Sequence, residues 1–256
     1  MNALVLPTRR QEDWRYSDME AVGGVWPLPA PAVIAVAAGE EASHLLLQDA
    51  AEGAVAVHDY EISVAAGGRC TFHLLNIGGR LGRVTFRVRL GRGAHFGLYG
   101  ATIGGGDQTL EIVTSVTHEE PEGTSEQIVR SILGQKAVGN YLGRIEVARD
   151  AQKTDAVQSI KAMLVDRTAT ANAKPELEIY ADDVKCAHGC AVGELDRQAL
   201  FYMASRGMEP QAARSLLLQA FVAGVFDDIA DEAERARFED AALAKLEALV
   251  RQGDME

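Results

Sequence analysis

The chain has 256 residues, a length that suits one large domain or one domain with a small appendage. Hydrophobic residues make up 47% of it, so a substantial core can be buried. The 37 acidic residues outnumber the 25 basic ones and give a formal net charge of −12. Because an acidic chain gains no counterion release on nucleic acid and is repelled by anionic lipid, we expect neither nucleic acid nor a membrane as a partner.

Cysteine usage and the amino-terminal sequence favour a reducing compartment. Three cysteines are too few, and odd in number, for a disulfide framework. The first residues show no basic-then-apolar signal pattern. The longest apolar run, "VWPLPAPAVIAVAAG" at 25–39, contains three prolines and is interpreted as an extended linker. These features predict a cytoplasmic protein.

The middle of the chain is predicted to be built from short strands. Apolar and polar residues alternate over 84–90, 110–116 and 177–184, and each segment is typical of a half-buried strand. Glycines separate these segments. The pattern alone indicates an all-β sandwich, barrel or solenoid, and the absence of one strict period leaves these three open.

Composition divides the chain into three predicted parts. Residues 1–35 form an amino-terminal segment with the proline-rich linker, residues 36–193 the β region, and residues 194–256 a helical domain. Asp196 is expected to cap the first helix and Gly207 to end it.

A second predicted helix carries an apolar stripe at helical spacing. The stripe is either a face that packs on the β region or, in part, a surface that docks a partner. Its members are Ala213, Leu216, Leu217, Ala220, Phe221, Gly224 and Val225.

The sequence "CAHGC" at 186–190 is the strongest chemical signal. Phosphate-loop, nucleophile-elbow and His-Glu-x-x-His motifs are absent from the sequence. Cys186 and His188 lie two residues apart, so on a strand they share one face, and both are good ligands for iron or zinc. A closed zinc site needs four ligands, and Cys70 is distant in sequence. The pattern therefore offers half of a metal site, or else two small buried hydrophobic cysteines at a strand end.

Two segments resemble a known family. The sequence "KPELEIYADDVKCAHGCAVGELDRQALFYMASRGM" at 174–208 is similar to the signature of the SufD family, which belongs with SufB to the SUF iron–sulfur cluster assembly scaffold. The sequence "PTRRQEDWRYSDM" at 7–19 resembles the Trp-Arg/Lys-Tyr-Ser/Thr element that opens these proteins. The chain resembles a short form of the family.

The resemblance implies a fold and a set of partners. The family's core is a right-handed parallel β-helix followed by an α-helical domain. A SufD subunit pairs with SufB through the end of the β-helix and binds the ATPase SufC through its helical domain. We therefore expect a non-catalytic scaffold that docks SufC through residues of the apolar stripe: Leu217, Phe221 and Val225.

The resemblance also implies the cofactors. A transient iron–sulfur cluster forms at the interface with SufB, and the carried-over ligands on this side are Cys186 and His188. Reduced flavin bound by the complex and a homodimer of the isolated chain are further expectations. Many relatives have Cys-Ser-His-Gly-Ala-Thr where this chain has "CAHGCA", so Cys190 has no counterpart, and core filler is the favoured interpretation for it.

Two other functions remain as alternatives. A stand-alone enzyme could bind zinc or iron through Cys186, His188 and Cys190 and activate water, although a third ligand and a general base are not evident. A β-helical carbohydrate-active protein is the other, but such proteins are usually secreted.

Overall fold

A computed structural model describes residues 5–253, with the side chains described as far as Arg251. Within these residues the chain forms a short 3₁₀ helix at Glu12–Trp14, helix α1, twelve strands and three further helices. The helices are α1 Met19–Gly24, α2 Arg197–Ser205, α3 Pro210–Val222 and α4 Glu232–Gly253. The strands are β1 Ala32–Val36, β2 Glu41–Gln48, β3 Val55–Val64, β4 Arg69–Asn76, β5 Leu81–Leu90, β6 His95–Gly104, β7 Thr109–His118, β8 Thr124–Leu133, β9 Val138–Val147, β10 Asp155–Leu164, β11 Thr170–Ile179 and β12 Lys185–Glu194.

The strands form a parallel β-solenoid. The odd-numbered strands make one six-stranded sheet, and the even-numbered strands make a second. Every strand pairs in parallel with the strand two places along the chain, so each turn of the coil contributes one strand to each sheet. The chain thus winds through about six turns, and the predicted β-helix with carboxy-terminal helices is confirmed.

The core lies in the lumen between the two sheets. Alternate residues of each strand point inward, and the in-register pairing stacks them on the residues of the next turn. Phe72 of β4 and Phe86 of β5 meet edge to face across the lumen, with ring centroids 4.8 Å apart. Gly78 lies where one turn approaches another, because a Cβ there would be 2.2 Å from the Ala50 nitrogen.

Two sequence predictions about the strands require correction. The strand predicted at 177–184 ends at Ile179, because the chain then turns and Lys153 N donates a hydrogen bond to the Asp183 carbonyl. The proline-rich stretch is not a linker throughout, since its residues Ala32–Val36 are strand β1, which pairs with β3. The strands run from Ala32 to Glu194, and the predicted division of the chain into three domains stays a prediction.

The carboxy-terminal helices pack on the outer face of the even-numbered sheet. Asp196 caps α2 by accepting hydrogen bonds from two backbone amides, and Gly207 follows the helix with φ of 84°, as predicted. One hydrophobic cluster joins outward residues of the sheet to residues of the helices. Its buried members include Leu75, Ile103, Ile132, Leu218, Val222, Val225, Phe226, Phe238 and Leu249. Of the predicted stripe, Phe221 and Val225 join this cluster, whereas Leu216 is exposed; Leu218 and Val222, which lie outside the predicted stripe, are buried in the cluster. No helix in the described part of the chain is long and apolar enough to cross a membrane.

The amino-terminal segment lies against the odd-numbered sheet and is anchored by a buried ion pair. Arg83 and Glu111 are 1% and 0% exposed, and their side chains are joined directly. Arg83 also donates to Ser17 Oγ at 2.9 Å and to the Asp13 carbonyl at 2.7 Å. The Trp14 ring lies 3.8 Å from the guanidinium carbon. The tryptophan-containing element of the sequence is thus held on the solenoid by its contacts with the buried guanidinium group of Arg83.

Candidate metal site

The solenoid ends in two strands that each have a neighbour on one side. Strand β11 is the last of the odd-numbered sheet and pairs with β9, and β12 is the last of the even-numbered sheet and pairs with β10. Their outer edges carry backbone groups without a neighbouring strand among residues 5–253. Such an edge is a template for pairing with another chain.

The register places the cysteines and the histidine of "CAHGC" on one face of β12. Cys186 is opposite Ala156, His188 is opposite Gln158, and Cys190 is opposite Ile160. These three residues of β10 are inward-facing and at most 2% exposed. Since side chains opposite each other in a parallel ladder point to the same side, Cys186, His188 and Cys190 face the lumen at its open mouth. The predicted shared face of Cys186 and His188 is confirmed.

The two cysteines of this strand differ in their surroundings. Cys186 is half-buried and packs against a small cluster that includes Ile145 and Ala156. Burial raises the pKa of its thiol, and the carboxylate of Asp155 raises it further, while a hydrogen bond from the Ala156 backbone opposes both. Cys190 is exposed, so the interpretation of Cys190 as core filler is wrong.

The third cysteine is not available to this site. Cys70 is fully buried in the lumen, and burial raises the pKa of its thiol to about 11. It lies on β4, four strands of the same sheet away from β12. Cys70 is therefore a core residue and not a ligand.

Cys186 and His188 are the two candidate ligands close enough to share one ion. Successive residues on one strand face are roughly 6.6 Å apart, whereas Cys186 and Cys190 are roughly 13 Å apart at their Cα atoms. A single tetrahedral ion, with metal–sulfur distances of about 2.3 Å, cannot span the longer separation. Among the described residues, no group of three or more His, Cys, Asp or Glu side chains is placed to bind one ion.

The residues that carry the candidate ligands also present their backbone amides at the outer edge of β12. Lys185 N donates to the Thr154 carbonyl at 2.8 Å, so Lys185 points its backbone groups toward β10. In a parallel ladder the direction alternates along the strand. The amides of Cys186, His188, Cys190 and Val192 therefore point outward, away from β10. A strand added at this edge would bond to the residues that carry the candidate ligands.

The predicted docking residues on α3 and directly after it are largely covered. Leu217 and Phe221 are half-buried, Phe221 packs against the cluster between helices and sheet, and Val225 is buried within that cluster. The apolar residues that lie exposed on the helices are different ones. They are Phe201, at 76% exposure, Tyr202 and Leu216, and Met208 is exposed in the connection between α2 and α3. Sequence reasoning missed Phe201 and Tyr202 as exposed aromatic residues.

Comparison with known proteins identifies the family. Residues 30–221, most of the chain, match the SufBD core domain of the SUF system of FeS cluster assembly. The chain is 36% identical over 126 residues to the iron-sulfur cluster assembly protein SufD of Escherichia coli, covering 49% of this chain and 30% of that protein. It is 29% identical over 194 residues to an iron-sulfur cluster assembly SufBD family protein of Synechocystis, covering 75% of this chain and 43% of that protein.

A third relative agrees with this result. The chain is 28% identical over 137 residues to SufD of Bacillus subtilis, covering 52% of this chain and 31% of that protein. The chain thus spans less than half of the length of each of these three relatives. With the match to the core domain and the parallel solenoid, the resemblance recognised in the sequence is confirmed, and the chain belongs to the SufBD family of the SUF system.

Proposed function

We propose that the chain is a SufD-like scaffold subunit of iron–sulfur cluster assembly, which pairs with a SufB subunit and has no catalytic role of its own. The observation that carries this proposal is the position of Cys186 and His188 on the lumen face of a terminal strand whose outer edge is unpaired. Relatives named as iron-sulfur cluster assembly proteins support it.

The ligand chemistry suits a cluster that is cargo rather than a resident group. A thiolate binds iron strongly, whereas a neutral imidazole is a weaker ligand that leaves more readily. The raised pKa of Cys186 keeps its thiol protonated in the isolated chain at neutral pH, and iron displaces that proton on binding. The half-site therefore becomes a good ligand only when iron and the partner's ligands arrive together.

Pairing with SufB uses the open edge of β12 in this proposal. Val192 offers an outward amide and lies two residues beyond Cys190, at a position 48% exposed. Val192→Pro removes that amide without removing a hydrogen bond of the chain's own ladder. We expect the affinity for SufB to fall by about tenfold or more, since an unmet backbone hydrogen bond costs ~1–3 kcal/mol. Isothermal titration of the full chain with SufB measures this loss.

The matched control for this test is Val192→Ala, which shortens the same side chain and keeps the amide. Circular dichroism of both variants checks that the solenoid is intact. Equal affinity of the proline and alanine variants for SufB would refute pairing through the edge of β12.

The SufC docking surface in this proposal is the exposed aromatic patch of α2. The aromatic residues of this patch are Phe201 and Tyr202, 76% and 59% exposed. Exposed aromatic residues at helix surfaces are the usual anchors of helix-mediated docking. The earlier candidates Phe221 and Val225 pack instead in the cluster between the helices and the sheet.

Phe201→Asp should weaken SufC binding by roughly thirtyfold or more, the effect of removing an interface anchor. Because the Phe201 ring is exposed, the helices should stay folded. Glu247→Lys, an exposed charge change on α4, is the control and should bind SufC normally. Co-purification and titration with SufC give the readout. If Phe201→Asp binds as the control does, SufC docks elsewhere.

Cytoplasmic location, reduced flavin in the complex and a homodimer of the isolated chain stay predictions. The homodimer would use the same open edge of β12, because two copies can pair there as the chain and SufB do. Sedimentation of the Val192→Pro variant therefore tests both associations at once.

A further inference from the structure

A file of polar side chains crosses the lumen beneath the candidate ligands. The Tyr141 hydroxyl donates to Gln127 Oε1 at 3.0 Å and lies 3.4 Å from Thr114 Oγ1. Gln127 of β8 is in register with Gln158 of β10, and Gln158 is in register with His188 of β12. The file therefore ends at the histidine of the candidate site.

Gln158 is the member of this file in which neither amide atom has a hydrogen-bond partner among the described residues, whereas Gln127 lacks a partner only at Nε2. Gln158 is 1% exposed. A buried amide left unpaired costs ~1–3 kcal/mol, and an apolar side chain of the same size would avoid that cost. The unpaired amide thus destabilises the isolated chain. This cost points to a functional role for Gln158 at the mouth of the lumen.

A histidine that binds a metal with one ring nitrogen needs a partner for the other. Metal-ligating histidines almost always donate their second ring N–H to a carboxylate, carbonyl or water, and this bond fixes the tautomer and the ring orientation. Neighbouring strands are about 4.8 Å apart, so a glutamine directly below a histidine can reach its ring. The Gln158 amide oxygen is the unsatisfied acceptor in that position.

We propose that Gln158 is a positioning residue, whose amide oxygen accepts the inward ring N–H of His188 and leaves the other ring nitrogen free to bind iron. In this arrangement Gln127 Oε1 accepts from Tyr141 and, through its second lone pair, from Gln158 Nε2 after rotation of the Gln158 side chain, while Gln127 Nε2 stays without a partner. Gln158 Oε1 then points toward β12.

This inference rests on the proposed function only for its final step, the binding of iron by His188. The tautomer of the ring is a property of the isolated chain and can be measured without iron, SufB or SufC. The two claims therefore fail in distinguishable ways.

The first experiment is long-range ¹H–¹⁵N spectroscopy of the full chain with labelled histidine, at about pH 8.5, where an ordinary histidine is neutral. The His188→Ala variant identifies the His188 signals among those of the six histidines. We expect one dominant tautomer for His188 in the parent and a mixture of tautomers in Gln158→Met. Gln158→Glu keeps an acceptor at the same reach and should restore the single tautomer.

The stability of the Gln158→Met variant distinguishes a positioning role of Gln158 from a purely structural one. Methionine has nearly the same shape as glutamine and removes the unsatisfied amide, so Gln158→Met should unfold at the same or a higher denaturant concentration. If Gln158→Met leaves the His188 tautomer unchanged, the positioning role is overturned, whatever its effect on stability.

The second experiment measures the iron and sulfide held by the complex of this chain with SufB and SufC. Loss of a partner bonded to a ligating histidine typically costs about 10–100-fold in metal affinity, so Gln158→Met should lower cluster content at limiting iron by roughly tenfold, and Gln158→Glu should recover it. A changed tautomer with undiminished cluster content would overturn the role of Gln158. If His188→Ala also assembles clusters normally, the proposed function itself fails, while the tautomer result stands.

Discussion

Arg83→Ala should lower the free energy of unfolding by about 3–5 kcal/mol, because it leaves the buried carboxylate of Glu111 without its cation. Both side chains are almost completely out of water. Glu111 keeps hydrogen bonds from Ser17 Oγ at 2.8 Å and Asn140 Nδ2 at 3.0 Å, but neither donor carries a charge. The single change therefore leaves an uncompensated charge in the body of the fold.

The same substitution should loosen the amino-terminal segment. Arg83 contacts this segment through the Asp13 carbonyl and the Trp14 ring, and Asn140 donates to the Tyr16 carbonyl at 3.1 Å. Trp14 packs edge to face with Trp26, at a centroid separation of 6.5 Å, so tryptophan fluorescence reports on this region. Guanidinium unfolding followed by circular dichroism and by fluorescence measures the loss of stability and of the docked segment together.

An exposed ion pair of the same sheet is the control. Arg89 and Glu119 lie 2.7 Å apart with 71% and 40% of their side chains exposed, and Arg89→Ala should cost about 0–1 kcal/mol. Replacing both buried partners, as Arg83→Met with Glu111→Leu, should recover much of the stability lost in Arg83→Ala. Equal costs for Arg83→Ala and Arg89→Ala would show that the buried pair does not anchor the segment.

The strands could be predicted locally, whereas their arrangement could not. Alternation at 84–90 and 110–116 identifies parts of β5 and β7, because each strand has one face in the lumen. The turns between strands vary in length, so Val84 pairs with Ile112 at a spacing of 28 residues, and Ser125 pairs with Ala156 at a spacing of 31. This variation hides the repeat, and the resemblance to a family, not the pattern, distinguished a solenoid from a sandwich or barrel.

For the candidate site as well, the local feature could be predicted from the sequence, whereas its place in the fold could not. A spacing of two residues is sufficient to place Cys186 and His188 on one strand face, but not to show that this face is the lumen or that β12 is the last strand. The exposure of Cys190 follows from that position at the edge. Gln158 lies thirty residues before His188, and only the register brings the two together.

Cys186→Ala and His188→Ala should each remove most of the cluster from the complex with SufB and SufC. Cys186 supplies the thiolate and His188 the imidazole of the half-site, and neither contributes to the main core cluster, so both variants should fold. The amides at the β12 edge are unchanged by these substitutions, and the complex with SufB should still form.

Two other cysteine variants serve as controls for the loss of a thiol. Cys70→Ala removes a core residue and should reduce stability, with little effect on cluster content. Cys190→Ala should matter much less than Cys186→Ala, because its Cα lies roughly 13 Å from that of Cys186 along the strand.

The iron and sulfide content and the visible absorbance of complexes purified without air test most directly whether the terminal strand contributes ligands to a cluster shared with a partner. We expect near-complete loss of the cluster for Cys186→Ala and His188→Ala, and near-parental content for Cys70→Ala and Cys190→Ala, in complexes of unchanged composition. Parental iron, sulfide and absorbance in the Cys186→Ala and His188→Ala complexes would refute a ligand role for these two residues.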